Sequence, residues 1–354
     1  MKTLYDRIGE RLKGYADSLN EFEIRDDSAH GERFAWGVDP FEYRLAQELK
    51  ASLIKQYKGQ TVEGVFPGEV VANDSGKCYL VRNEASAKFE TPCPDLSRER
   101  ILSDLKLIYG IGAVKEKHLK KEGYRTIPAL AGHPRFGRAA SEFLEHFDRC
   151  GTCGIQELIF RWYPKSHPLS FFVSGFHSKD DFILLDIETL GLFTRPIILI
   201  GLAEIKGGRI AFSQYLLRGI EEEPAALEAV LSHIGESSVF MTFNGRAFDI
   251  PYIQERLFYY GMKGDFERAH FDILPYSRRA WGEDSPNCRL VTLEKFLFSE
   301  ERRDDVPSAL VPEFYETYLR TGNPGPLVPI VEHNRKDLET LARLFSKLQE
   351  VWCR

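Results

Sequence analysis

Cysteine is scarce in this 354-residue chain, and what there is does not pair up. Six cysteines occur, and only one close pair stands among them, in Cys150-Gly151-Thr152-Cys153. A zinc site usually takes a second close pair, which Cys78 and Cys93 do not form, and a lone Cys-x-x-Cys lacks the surroundings of a redox fold. These residues, with Cys288 and Cys353, read as reduced cytosolic thiols. Long apolar runs are also missing. The stretch over residues 197–203, broken only by Gly201, is far too short to span a bilayer. The opening Met1-Lys2-Thr3-Leu4-Tyr5-Asp6-Arg7 has no apolar signal-peptide core. The expectation is a soluble cytoplasmic protein with no membrane association. Repeats and low-complexity tracts are absent as well.

A hydrophobic content of 43% is ample for real cores, and 354 residues are enough for two or more domains. Residues 1 to about 35 are charged and polar, with a helical start and a flexible section around residues 26–31. An amphipathic helix is predicted over 40–57, with Phe41, Leu45, Leu49 and Leu53 spaced by four. Residues 61–89 read as a small β-hairpin turning at Asn73-Asp74-Ser75-Gly76. Residues 96 to about 148 are helical, and the apolar run 169–173 is expected to pair as a strand. Strands over 181–185, 196–204 and 210–217 form a three-stranded meander, with a helix from Pro224 onward. The chain thus divides into an α+β region of no assignable role (1–95), a helical module (96–150), a connector (151–180) and a C-terminal domain (181–354).

The C-terminal domain opens on Leu184-Leu185-Asp186-Ile187-Glu188-Thr189-Leu190-Gly191-Leu192. A strand has a period of two, so Asp186 and Glu188 point to one face and Ile187 to the other. Like charges that close repel unless a cation lies between them. Hard oxygen ligands on a rigid strand suit Mg²⁺ or Mn²⁺. Two further carboxylates are candidates for the same site. Asp249, in Asn244-Gly245-Arg246-Ala247-Phe248-Asp249, follows an apolar strand and an Asn-Gly turn, and Pro251 places it near a helix N-terminus. Asp337 lies in His333-Asn334-Arg335-Lys336-Asp337, ahead of Leu338, Leu341, Leu344, Phe345 and Leu348 at helical spacing. His333 and Asp337 share one helix face.

Asp-x-Glu, Asn-x-x-x-Phe-Asp and a late helical Asp preceded by His resemble the three-motif pattern of DEDD exonucleases. More narrowly, residues 181–348 resemble the YprB-type RNase H-like domain. Supporting segments are Phe271-Asp272-Ile273-Leu274, Leu290-Val291-Thr292-Leu293-Glu294, Asp305-Val306-Pro307 and Val331-Glu332-His333-Asn334-Arg335-Lys336-Asp337. The resemblance implies an α/β fold, an RNase H-like mixed sheet flanked by helices. It implies a 3′→5′ exonuclease that hydrolyses phosphodiester bonds with two Mg²⁺ or Mn²⁺ ions about 3.5–4 Å apart. Asp186, Glu188, Asp249 and Asp337 would be the metal ligands, with His333 as general base or as the group that orients water or phosphate. In the family this helper is a His five before the last Asp or a Tyr four before it. Here His333 is four before Asp337 and Glu332 is five before it. Thr189, Gly191, Leu192 and Asn244 are placed against the nucleic acid, glycine permitting close backbone approach. An exoribonuclease, a structure-specific endonuclease and a non-catalytic nucleic-acid-binding protein are the alternatives.

Upstream, Leu105-Lys106-Leu107-Ile108-Tyr109-Gly110-Ile111-Gly112, then Leu119 and Gly123-Tyr124-Arg125-Thr126-Ile127, resemble a helix-hairpin-helix element. Gly110 and Gly112 permit a tight turn, and the next helix presents free N–H groups to a phosphate. Glu116 stands where a small residue is usual. No Gly-Lys-Ser/Thr follows, which excludes a Walker P-loop. Over 105–140, eight Lys and Arg face two acids, a local +6 in a chain of net −6 that leaves −12 elsewhere. Lys115, Lys117, Lys120 and Lys121 form the core of this basic footprint. The partner expected is nucleic acid, DNA favoured over RNA because such hairpins typically hold DNA backbones. Protein partners carry no signal.

Overall fold

The computed structural model of the chain describes residues 39–353 apart from Ala87, Phe193 and Arg303. The helical start and flexible section expected before residue 36 lie outside the described residues. Helix α1 (Pro40–Gln56) starts with Pro in its first turn and with Asp39 accepting the Phe41 N–H. The hairpin β1 (Gly68–Asn73) and β2 (Gly76–Ser86) follows, and Gly76 at φ +133° completes its turn. Next come α2 (Pro94–Leu102), α3 (Ala113–Lys121), α4 (Gly137–Arg149) and α5 (Thr152–Phe160). Beyond them lie β3 (Phe182–Thr189), β4 (Ile197–Lys206), β5 (Arg209–Leu216), α6 (Glu223–Leu231) and β6 (Val239–Thr242). The chain continues through α7 (Asp249–Tyr259), β7 (His270–Asp272), α8 (Ile273–Trp281), α9 (Leu290–Phe298), α10 (Val311–Thr321) and α11 (Leu327–Trp352).

All seven strands join one mixed sheet in the order β1-β2-β5-β4-β3-β6-β7. The pairs from β1 to β3 are antiparallel, while β3/β6 and β6/β7 are parallel. The hairpin of residues 68–86 therefore extends the sheet that carries Asp186, with β2 paired along the length of β5. Strand alternation sorts the core. Phe182 and Leu184 pack toward Leu338, Leu341 and Phe345 of α11, whereas Ile183, Leu185 and Ile187 pack toward α6 and α7. Asp186 and Glu188 continue the register of Phe182 and Leu184, so they face α11.

Two local expectations are corrected. Residues 169–173 do not pair as a strand: Pro168–Phe172 is a short helix, and a 3₁₀ turn follows it. His167 caps the helix by accepting the Leu169 N–H, and Pro168 presets its first turn. A short apolar run alone does not separate a strand from a buried helix. In α1 the buried residues are Ala46 and Leu53, while Phe41 and Leu45 are exposed. The helix is turned so that Gln47 and Lys50 reach Glu313 of α10. Among the described residues, no helix is long and apolar enough to cross a membrane.

Candidate active site

Three elements bring the acidic side chains together. Asp186 and Glu188 come from β3, Asp249 is the first residue of α7, and Asp337 lies in the first half of α11. Asp249 is fixed by the chain beside it, its Oδ1 accepting the Ile187 N–H at 3.1 Å. That bond ties the helix start to the backbone between Asp186 and Glu188. Burial raises the pKa of Asp186, Glu188 and Asp249, and neighbouring acids add repulsion. Asp186 is held well above the usual carboxylate range by desolvation, then by Asp337, Asp249 and Glu188. Glu188 is pushed up to about 8 and Asp249 to about 7, burial being the largest cause in both.

Asn334, to which the sequence motifs assign no role, holds Asp186 in place. Its Nδ2 donates to Asp186 Oδ2 at 2.7 Å and to the Asp186 carbonyl at 3.1 Å. Gln214 Nε2 donates to Asn334 Oδ1 and to the Val331 carbonyl, both at 2.8 Å. Asp186, Gly201 and Gln214 lie on one rung across β3, β4 and β5. Gly201 leaves the space Asn334 fills, since a Cβ there would lie 2.1 Å from Asn334 Oδ1. A signal for this exists in the sequence: Asn334 is one residue past His333 and three before Asp337, and Gly201 interrupts an otherwise apolar strand.

Asp337 meets two cations. Arg302 Nη2 is 2.5 Å from Asp337 Oδ1, and His333 Nε2 is 3.5 Å from Oδ2. The Arg302 approach is an ion pair without hydrogen-bond alignment, and the buried Oδ1 has no hydrogen-bond partner. Arg302 is itself gripped by Glu294 of α9, through Nε at 2.8 Å and Nη2 at 2.5 Å. His333 is buried and directs Nδ1 to Asp305 Oδ1 at 2.7 Å, with Ser308 Oγ 3.5 Å from Nε2. Burial alone would favour the neutral ring, but Asp337, Asp305 and Glu188 overcome it and raise His333 to about 10. The imidazole is a charged partner here. Arg302 is not legible as a site group in the sequence, and Asp305 is legible only as part of the supporting segment Asp305-Val306-Pro307, because the role of each depends on partners across the fold.

Among the described residues, no three His, Cys, Asp or Glu side chains are arranged to hold a metal ion as they stand. The donor set nevertheless fits a hard divalent cation. Three of the four carboxylates are strongly disfavoured as bare anions, and the fourth, Asp337, has a buried oxygen that lacks a hydrogen bond. The loop residues have structural ties. Thr189 Oγ1 donates to the Gly191 carbonyl at 2.9 Å, Gly191 has φ +148°, and Leu192 is exposed. Tyr252 donates to the Gly191 and Arg195 carbonyls, so it is a buried strut of the loop. Asn244 takes φ +65°, and its N–H donates to Asp272 Oδ1 at 2.8 Å. Phe193 lies outside the described residues.

In the basic module, Gly110 has φ +83° and Gly112 precedes α3 without a side-chain cap. Glu116 folds back, accepting the Leu105 N–H at 3.1 Å and pairing with Lys120 at 2.9 Å, so it braces the turn. Lys115 donates to the Gly110 carbonyl at 2.7 Å, while Lys117 and Lys121 are exposed. The connector carries α5, whose Gln156 side chain makes paired hydrogen bonds with the backbone of His270 in edge strand β7.

The family model of the RNase H superfamily matches residues 183–349, the stretch that holds all four carboxylates and His333. Over 203 residues the chain is 31% identical to a protein of Bacillus subtilis (strain 168) named "Uncharacterized protein YprB". That match covers 55% of this chain and 48% of the relative, so the chain spans about half the relative's length. A mixed sheet flanked by helices, acids converging from its central strand and last helix, and the family match agree: residues 183–349 are a domain of the RNase H superfamily.

Proposed function

We propose that this protein is a metal-dependent nuclease of DEDD type, hydrolysing phosphodiester bonds 3′→5′ from single-stranded ends, on DNA in preference to RNA. The observation that carries this is the meeting of Asp186 with Glu188, Asp249 and Asp337, each of which raises the pKa of Asp186, on an RNase H superfamily domain. Asp186 and Asp249 each have one oxygen fixed by a protein donor, which leaves the other for a cation. Two Mg²⁺ or Mn²⁺ ions bound there would supply an activated water and charge neutralisation at the departing 3′ oxygen.

The chain's own groups have separate roles. Asn334 ties Asp186 to α11, and the Ile187 N–H sets the angle of Asp249. His333, with Nδ1 committed to Asp305, keeps Nε2 on the side of Asp337 and Ser308. In the metal-free site that ring is charged and donates; cations that neutralise Asp337 and Glu188 would remove two of the charges that raise it, so there it would either orient a water or phosphate oxygen or take its proton. The domain at 96–150 is proposed as the nucleic-acid-binding module, its exposed lysines positioning the backbone without reading sequence.

The test is hydrolysis of end-labelled single-stranded and duplex DNA and RNA by wild type, Asp186→Ala and Asp337→Asn, with Mn²⁺ or EDTA. Ladder formation from the 3′ end, abolished by EDTA and by either substitution, is expected. Cleavage of a circular strand would replace the exonuclease assignment with an endonuclease, and undiminished activity in both variants would sink the metal site.

A further inference from the structure

Two aromatic rings beside the glycine hairpin are exposed and, among the described residues, make no side-chain hydrogen bond. Tyr109 is 81% exposed and Trp162 45% exposed, yet their centroids lie 6.1 Å apart at 42°. Tyr109 directly precedes Gly110, and Trp162 ends the turn after α5. Their neighbour Tyr163 is built in: its hydroxyl donates to Asp104 at 2.6 Å and its ring stacks on His167. Neither Tyr109 nor Trp162 has such an anchor. Exposed rings held as a pair offer apolar faces on which a planar ligand can stack.

The surroundings select the occupant. The hairpin belongs to the +6 segment, and exposed Arg161 and Lys165 flank Trp162. Two residues before Trp162, at most about 7.6 Å of chain, Phe160 packs under the Arg246 guanidinium at 5.5 Å. Arg246 belongs to the loop that runs from Asn244 into Asp249, and its guanidinium also donates to the His270 carbonyl. Lys165 lies close enough to Arg246 to feel its charge. Asp272, an acid beside them, is taken up by the N–H groups of Asn244 and Arg246. An aromatic pair followed by cations, leading to the loop that carries Asp249, matches a strand whose bases stack and whose phosphates continue inward.

We propose that Tyr109 and Trp162 form a stacking platform for unpaired bases of a nucleic-acid strand, on a path that leads along Arg161, Lys165 and Arg246 toward the four carboxylates. This rests on the nuclease assignment for its direction but not for the binding itself. It gives the module a preference for single strands that phosphate binding alone does not create, because every base offers a ring face while duplex bases are already stacked.

The test is fluorescence anisotropy of a labelled dT20 strand and a labelled 20-base-pair blunt duplex in EDTA, where no cleavage occurs. The proteins are wild type, Tyr109→Ala, Trp162→Ala and Trp162→Phe. Each alanine variant is expected to bind dT20 roughly 5- to 150-fold more weakly, the range for loss of one stacked base. Duplex affinity and the slope of affinity against salt stay unchanged, and Trp162→Phe retains most of the single-strand affinity. Both residues are exposed, so the variants are expected to melt with wild type. Wild-type affinity for dT20 in all variants overturns the platform and leaves the pair as a protein-docking surface, with the nuclease assignment intact. Equal losses on strand and duplex overturn it in favour of a general electrostatic patch, and no binding of wild type to either overturns it outright. Ring-dependent binding by a wild type that cleaves none of the end-labelled substrates would retain the platform and remove the nuclease.

Discussion

Arg302 Nη2 lies 2.5 Å from Asp337 Oδ1, which puts a guanidinium on the one acid of the four that comes from the last helix. The Arg302 side chain is buried and that of Asp337 half-buried, and Glu294 holds the other side of the arginine. A cation entering at Asp337 therefore competes with a tethered one. Arg302→Gln is expected to tighten Mn²⁺ binding on the order of tenfold, a difference of about 1.4 kcal/mol. The same change leaves Glu294 without its ion partner and destabilises the fold by about 3–5 kcal/mol. Isothermal titration with Mn²⁺ and urea unfolding read the two effects. Weaker Mn²⁺ binding would show that Arg302 organises the site instead of competing for it.

Protons and divalent ions are expected to exchange for one another. Glu188 at about 8 and Asp249 at about 7 hold protons in the fold that the unfolded chain releases near its ordinary carboxylate values. His333, raised to about 10, likewise keeps a proton that the unfolded chain loses near 6.5. The folded state thus binds more protons throughout this window, so stability falls as pH rises. Metal-free protein should melt at lower temperature at pH 8 than at pH 5.5, and Mg²⁺ or Mn²⁺ should restore most of the loss at pH 8. Asp186→Asn should flatten the pH dependence and reduce the rescue. A melting temperature that rises over this range in EDTA contradicts the burial of these groups as bare acids.

Gly201 and Asn334 define how Asp186 is aimed. Gly201→Ala places a Cβ 2.1 Å from Asn334 Oδ1, an atom that Gln214 already holds. The asparagine must leave, so Asp186 Oδ2 loses its donor. The expected result is at least a hundredfold loss of phosphodiesterase rate with destabilisation of about 1–3 kcal/mol, the overpacking range. Asn334→Ala should lose rate similarly without the clash. Full activity in both would show that the Asn334 amide is a packing element only.

Lysines of the basic module are predicted to differ. Lys117 and Lys121 are exposed, whereas Lys120 is paired with Glu116 and Lys115 with the Gly110 carbonyl. Lys117→Ala with Lys121→Ala should reduce the salt dependence of duplex binding by about 0.9 in log–log slope for each phosphate no longer neutralised. Lys120→Ala should change it less. An equal slope for all variants would place the phosphates elsewhere.

Local pattern carried the strand that bears Asp186 and Glu188, its two neighbours and the last helix, the strands as short apolar runs and the helix through its spacing of apolar residues. It also placed Asp249 at a helix start, through the turn at Asn244-Gly245 and Pro251. What it did not carry was pairing at a distance. Nothing within residues 68–86 announces that β2 will lie against β5, since antiparallel partners share no local code. The same holds for Arg302, an ordinary polar residue by sequence, whose role comes from Glu294 and Asp337, while Asn334 left only a faint trace in its place beside His333 and in Gly201. Residues 169–173 failed for a different reason: their apolar run looks like a strand until the His167-Pro168 start is weighed with it.

The pairing of β2 with β5 also sets an order of events in time. Ser86 faces Arg209 and Tyr79 faces Leu216, so more than a hundred residues are made between the hairpin and the strand that covers it. At synthesis rates of about 5–20 residues per second, β2 presents an open edge for roughly 7 to 26 s. An uncovered edge of that length invites pairing with another chain. The four acids meet later still, since Asp337 arrives on the last helix. The nascent molecule is therefore expected to show that open edge before the four acids are together, and a holding chaperone would be of use in that interval.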